Sequence, residues 1–333
     1  MRSKVKILAL KINKILYPEE IFIIAFFILF AIYFTINNWQ IIFTDKMLSF
    51  TIVNRIFFPL TVFFIISFFE HAITSVKNKG KNFGKKSWII FLDAIRVWLL
   101  LYIALIIHMN IKIRVPFINP NLFDNFYQQF DLAFSWLLTP LFVGRDWVEQ
   151  FIDLGPLYTW GYEILYLTTF TILYLKNKRA FREMFFATLL LILLGSITYC
   201  LFPAIGPFYF SPSHSPYTRE IQEVMWQKYL LFKQSAGTIY SPAYLIQGIA
   251  AMPSLHTANT FAFMYFIYKY AKKFSIIYIP AFIYILIDAV YTKYHYILDV
   301  VFGLLLAIVC IYLVKIIYQK REQYLSMHNS TNV

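Results

Sequence analysis

The chain has 333 residues, of which 60% are hydrophobic, 20% aromatic and only 14% charged, with a mean hydropathy of +0.62. That composition excludes an ordinary soluble domain and predicts a membrane protein. A net charge of +13 does not make it a nucleic-acid binder, because two thirds of the lysines and arginines fall in five short clusters between apolar runs rather than in a polar, aromatic-interleaved patch.

The apolar runs predict an all-α fold, a polytopic transmembrane helical bundle of about eight spans, at 16–36, 56–74, 88–107, 156–175, 184–203, 254–269, 275–291 and 297–318. Each is near the ~20 residues that cross a hydrocarbon core as a helix. Residues 1–110 read as N-terminal transmembrane spans and 111–333 as a catalytic membrane core. The first run follows a basic stretch without a small-residue cleavage site, so it is expected to be retained rather than removed as a signal peptide. With the N-terminus in the cytoplasm, the basic clusters at 2–14, 77–86, 176–182, 269–273 and 315–321 all fall on the cytoplasmic side, and so does the C-terminus. A composition rich in Lys, Ile, Asn and Phe fits an AT-rich genome, which points to the plasma (inner) membrane of a bacterium. In the third span Asp93 and Arg96 stand at i and i+3 and are expected to pair. Cys200 and Cys310 lie in apolar runs as small core residues, and no disulfide framework is indicated.

This topology puts two long loops, 108–155 and 204–253, on the outer face. In the first, Phe123, Phe126, Tyr127, Phe130, Phe134, Leu137 and Leu138 recur at helical spacing while Asp124, Gln128 and Asp131 take the other face, which predicts a helix lying in the interface. Residues 219–234 repeat the pattern more weakly. Both could lid a lipid-accessible pocket or simply cover the membrane surface. Glu163 and Asp288 sit in apolar runs near the outer ends of their spans, where an ionised carboxylate costs roughly 2.5 kcal/mol or more unless paired or wetted. Two readings stay open for them: a place in the pocket, or a structural bond between helices. His214 has no companion ligand at a zinc-like spacing, so no metal site is expected, and no Gly-rich nucleotide loop is present.

Two histidines on that outer face carry the chemistry. The first closes Pro253-Ser254-Leu255-His256; the second opens His295-Tyr296-Ile297-Leu298-Asp299. Asp299, at i+4 from His295, can accept a proton from one ring nitrogen, fix the tautomer and leave the other nitrogen free to attack. Pro253 suits an opening helical turn, whose unpaired N–H groups and positive dipole end attract an anion, and Ser254 adds a hydroxyl donor. His256, protonated, can give its proton to a departing alkoxide. A phosphohistidine would follow, attacked in turn by water or by another alcohol.

These residues resemble the integral-membrane type 2 phosphatidic acid phosphatase superfamily, whose hallmarks are Pro-Ser-x-His and His-x-x-x-Asp. More narrowly, Pro253-Ser254-Leu255-His256-Thr257-Ala258, Tyr294-His295-Tyr296-Ile297-Leu298-Asp299-Val300 and the earlier Tyr199-Cys200-Leu201-Phe202-Pro203-Ala204-Ile205-Gly206-Pro207 resemble the branch of inositol phosphorylceramide synthases and their bacterial relatives. The resemblance covers about residues 120–310. It implies His295 as nucleophile, Asp299 as its partner and His256 as acid/base, with Gly206 and Pro207 near the pocket. Leu255 replaces the usual third-position glycine, Phe208 follows Gly206-Pro207 where many relatives have arginine, and Asp288-Ala289 stands where the superfamily has Ser-Arg. Two phosphate-binding cations are therefore unplaced; Lys293 is the nearest substitute, followed by Arg219 and Lys233. The function implied is cleavage of a lipid phosphate ester without a cofactor, among membrane lipids and with no nucleic acid, and with an alcohol acceptor such as inositol if transfer rather than hydrolysis completes the cycle. A non-catalytic lipid-binding protein or transporter that keeps the fold is the competing reading.

Overall fold

A computed structural model of the protein describes residues 16–43, 58–77, 83–152, 154, 157–213, 215–234 and 252–329. The basic stretch 2–14, His214 and the side chain of Lys233 lie outside this description. Among the described residues every regular element is helical. In chain order the α-helices are α1 (Pro18–Ile36), α2 (Phe58–Lys77), α3 (Phe83–Ile118), α4 (Asp124–Ala133), α5 (Ser135–Glu149), α6 (Leu157–Lys176), α7 (Lys178–Leu201), α8 (Pro216–Gln234), α9 (Leu255–Tyr270), α10 (Ser275–Tyr291) and α11 (Ile297–Asn329).

Among the described residues, each of the eight apolar runs coincides over most of its length with one of these helices. Among the described residues five stretches are, by length and composition, long and apolar enough to cross a membrane: Pro18–Ile36, Ser87–Ile118, Lys178–Leu201, Lys272–Tyr291 and Ile297–Met327. Local chemistry sets several of the starts. Pro18 occupies the first turn of α1 while the Glu20 carboxylate accepts the Tyr17 N–H at 2.7 Å. Asn177 caps α7 by accepting the Ala180 N–H at 2.9 Å. The third span overruns its expected end at 107 because the polar residues beyond it are satisfied inside the protein. His108 Nδ1 meets Ser196 Oγ at 2.7 Å, and Asn110 exchanges hydrogen bonds with the Ile42 backbone at 2.9 Å in each direction.

Helix α7 is the axis of the bundle, buried from Ala180 to Leu193, with α3, α6, α9 and α11 packed around it. Phe170, Phe181, Phe185, Phe263, Phe266 and Val314 belong to the apolar cluster at its centre. Lipid chains are as apolar as these side chains, so the association depends on close packing, and two glycines mark where it is closest. A Cβ on Gly195 would lie 2.6 Å from Leu255 Cδ2, and one on Gly303 would lie 2.6 Å from the Ser254 carbonyl oxygen.

At the end of the bundle where α1 begins, a charged network joins four helices. Arg182 donates to Asp93 at 2.7 Å and to Glu19 at 3.3 Å, and the Tyr318 hydroxyl donates to Glu19 at 2.6 Å. The expected Asp93–Arg96 pair does not form: Arg96 lies 3.5 Å from Glu20, and Asp93 is held by Arg182. Sequence spacing favoured the local partner, whereas packing brings a buried guanidinium from another helix.

The opposite end is covered by α4, α5 and α8. The apolar pattern predicted over 123–138 forms two helices rather than one, with the break at Phe134. In α4 the acidic edge turns inward, burying Asp124 and Asp131, while Phe126 and Leu132 remain exposed in the manner of an interfacial helix.

Candidate active site

Ser254 is the N-cap of α9, with its hydroxyl 3.0 Å from Thr257 Oγ1 and accepting the Thr257 N–H at 3.4 Å. It is fully buried, and its N–H donates to the Asp299 carbonyl at 2.9 Å. Lacking a side chain, Gly303 lets α11 approach closely enough for this contact. The Pro-Ser-Leu-His turn and the His-x-x-x-Asp turn are thus joined backbone to backbone.

His295 precedes the first turn of α11, with its N–H bonded to the Ala289 carbonyl at 3.0 Å. Its Nδ1 stands 3.4 Å from Asp299 Oδ2, and that oxygen accepts the Tyr296 N–H at 2.8 Å. Asp299 is fully buried; its Oδ1 and His295 Nδ1 have no hydrogen bond of good geometry among the described residues. A small rotation of the imidazole would close the pair. His256 lies at the start of α9, its ring 4.6 Å from that of Tyr162 and 5.3 Å from that of Tyr158. Tyr158 also stacks on Tyr294, at 6.1 Å, so one aromatic side chain of α6 touches both signatures.

Helix α4 supplies supports that sequence reasoning missed. Asp124 accepts the N–H groups of Ile205 and Gly206 at 2.9 Å each and the Tyr296 hydroxyl at 2.8 Å. Asp131 accepts the Ile297 N–H at 2.9 Å, at the mouth of α11. One helix therefore pins both the Gly206 segment and the two residues that follow His295. The signal was present in the sequence, since these two acids lie seven residues apart on one helical edge. Burial raises the pKa of Asp124 above the usual carboxylate range, against the lowering effect of its N–H and hydroxyl donors. Burial also pushes Asp131 up to about 7, with Asp299 adding to the shift and the Ile297 N–H and Lys293 opposing it.

Gly206 adopts φ 118°, and a Cβ there would stand 2.9 Å from the Tyr294 carbonyl oxygen. Phe208 donates its N–H to the Lys293 carbonyl at 3.2 Å, so Gly206-Pro207 abuts the turn that leads into His295. Lys293 itself has φ 60°, its ammonium lies 5.1 Å from the centre of the Phe142 ring, and burial lowers its pKa while Asp131 opposes that shift. Asp288 accepts Arg145 Nε at 2.8 Å and the Tyr284 hydroxyl at 3.2 Å, which makes it an interhelical bond; Arg145 also binds Glu149 at 2.7 Å. Arg145 was not expected: it lies on α5, within the outer segment 108–155, and no spacing points to its partner on α10. Glu163 is half-buried on α6, next to Tyr162. Arg219 donates twice to the Ser213 carbonyl, at 3.2 and 3.1 Å. Among the described residues no group of three or more His, Cys, Asp or Glu side chains is arranged to hold a metal ion.

A family profile described as the PAP2 superfamily matches residues 125–313, which include all three segments meeting here. The chain belongs to the PAP2 superfamily. Membership supports phosphatase-type chemistry on lipid phosphates in general, and it agrees with the membrane helical bundle. No curated protein and no solved structure matches the chain.

Proposed function

We propose that this protein cleaves a phosphate ester of a lipid through a phosphohistidine. The observation that carries the reading is the Ser254 N–H bond to the Asp299 carbonyl at 2.9 Å, which sets the two histidine signatures side by side. His295 Nε2 attacks phosphorus while Nδ1–H turns to the Asp299 carboxylate, which stabilises the growing imidazolium charge. The P–O bond to the leaving alcohol breaks, and His256 supplies the proton to the alkoxide. The positive end of the α9 dipole and the Lys293 ammonium are the positive groups assigned to the phosphate. In the second half His256 takes a proton from the incoming water or alcohol, whose oxygen attacks phosphorus and releases His295.

The positive-inside distribution supports cytoplasmic termini and a site on the outer face of a bacterial plasma membrane. Hydrolysis and transfer share every step up to the phosphohistidine, and the branch resemblance favours transfer to an alcohol. The test is phosphate release from short-chain lipid phosphates by purified protein. His295→Ala is expected to abolish release, and Asp299→Asn to lower turnover by roughly 10³- to 10⁴-fold. Full activity of His295→Ala would overturn the proposal. Acid-stable label on a serine or threonine hydroxyl in place of acid-labile label on histidine would overturn the intermediate.

A further inference from the structure

Tyr158 carries a hydroxyl that the fold itself does not use. It is the second residue of α6 and only 5% exposed, and its hydroxyl oxygen is buried with no hydrogen-bond partner among the described residues. An O–H taken out of water and left unpaired is unfavourable, so buried hydroxyls are nearly always bonded. The neighbours explain why this one is not: Tyr158 belongs to an apolar cluster with Leu138, Ile285, Ala289, Val290 and Val300, whose side chains carry no polar atom. Yet the ring stands at the junction of the two histidine signatures. Its centre is 5.3 Å from that of His256 and 6.1 Å from that of Tyr294, the residue before His295. Two members of the cluster also belong to the frame of the nucleophile, since the Ala289 carbonyl accepts the His295 N–H at 3.0 Å and Val300 follows Asp299.

A phosphoryl group in transfer spreads its charge over three equatorial oxygens. A helix dipole and one ammonium are assigned to them above, and other nearby donors are engaged. The Ser254 hydroxyl lies 3.0 Å from Thr257 Oγ1 and accepts the Thr257 N–H, Arg145 holds Asp288 and Glu149, and Arg219 holds the Ser213 carbonyl. A phenol in an apolar nest is a neutral donor that needs no counter-ion in the free enzyme, and its bond strengthens as the accepting oxygen gains negative charge. Position, rather than the missing partner alone, singles out Tyr158. Tyr166 also has a buried hydroxyl with no partner among the described residues, but it lies ~12 Å further along α6. Its ring packs on Phe170 and Phe263, at 4.4 and 5.6 Å, in the apolar centre of the bundle.

We propose that the Tyr158 hydroxyl donates a hydrogen bond to a non-bridging phosphoryl oxygen while the group passes to and from His295, keeping its own proton throughout. The inference rests on His295 as the phosphoryl-transfer centre. Tyr158→Phe removes the oxygen and leaves the ring against His256 and Tyr294. In the full-length protein in detergent, acting on a short-chain lipid phosphate, this variant is expected to lower kcat by about 10²- to 10³-fold with KM little changed, as loss of one preorganised donor does. Calorimetric titration with orthovanadate, whose five-coordinate adduct resembles the phosphoryl group in transfer, should show affinity reduced by a similar factor. Tm should be kept or raised, because the variant no longer buries an unpaired hydroxyl. Tyr166→Phe, which removes the same group away from the signatures, should keep wild-type kcat and vanadate affinity. Wild-type kcat in Tyr158→Phe, an equal loss in Tyr166→Phe, or a loss that comes with a fallen Tm would overturn the assignment. The parent reading fails separately: a fully active His295→Ala removes the phosphohistidine, whereas an inactive His295→Ala beside a fully active Tyr158→Phe removes only the donor. No vanadate binding by the wild-type protein would remove both.

Discussion

Asp131 shows how one residue can make the site sensitive to pH. Its carboxyl is raised to about 7 in the folded protein, well above the ~4 of an unfolded aspartate, so the fold holds a proton that the unfolded chain gives up between those values. The fold therefore loses stability as pH rises from about 4 to about 7, and above the folded value the penalty is complete. Asn in its place keeps an acceptor for the Ile297 N–H and removes the ionisation. Asp131→Asn is expected to flatten the dependence of Tm on pH between 5 and 8, relative to wild type, as followed by tryptophan fluorescence in detergent. An unchanged slope would show that another group titrates. The histidines and Asp299 were legible in the sequence because each sits in a dense local signature. Asp124 and Asp131 were legible only as the polar edge of an interfacial helix; the backbone N–H groups of distant segments that they hold were not, because no spacing announces a partner in another segment.

At the scale of elements, the pairing of Leu255 with Gly195 accounts for a departure from the family pattern. Leucine stands in the Pro-Ser-x-His turn where glycine is usual, and its side chain fills the space that Gly195 leaves open on α7. A Cβ at 195 would press on Leu255 Cδ2, so Gly195→Val is expected to displace the turn and lower turnover, and Leu255→Ala in the same chain to restore much of it. Additive losses in that double-mutant cycle would argue that the two positions act separately. Most helices were legible from apolar run length, and their ends were not. Phe134 breaks one predicted interfacial helix into α4 and α5, and α3 continues past 107 because His108 and Asn110 find partners in the bundle rather than water.

Across the whole molecule the two ends have different tasks. The Arg182–Asp93–Glu19 network joins α1, α3, α7 and α11 at the end remote from the histidines, with Arg182 and Glu19 almost wholly buried. Removing one member of a buried pair typically costs about 3–5 kcal/mol, because the partner charge stays behind. Arg182→Ala is expected to lower Tm strongly while the folded fraction keeps its KM, which thermal scans and kinetics on the same preparation would check. A changed KM with unchanged Tm would show instead that this end communicates with the site. The link between Ser254 and Asp299 has a further consequence for a protein embedded in a fluctuating bilayer. Because α9 and α11 share a backbone pivot beside the reacting groups, a change in helix tilt with membrane thickness swings both imidazoles about the same point, so their spacing is buffered while the far ends of the helices absorb the strain.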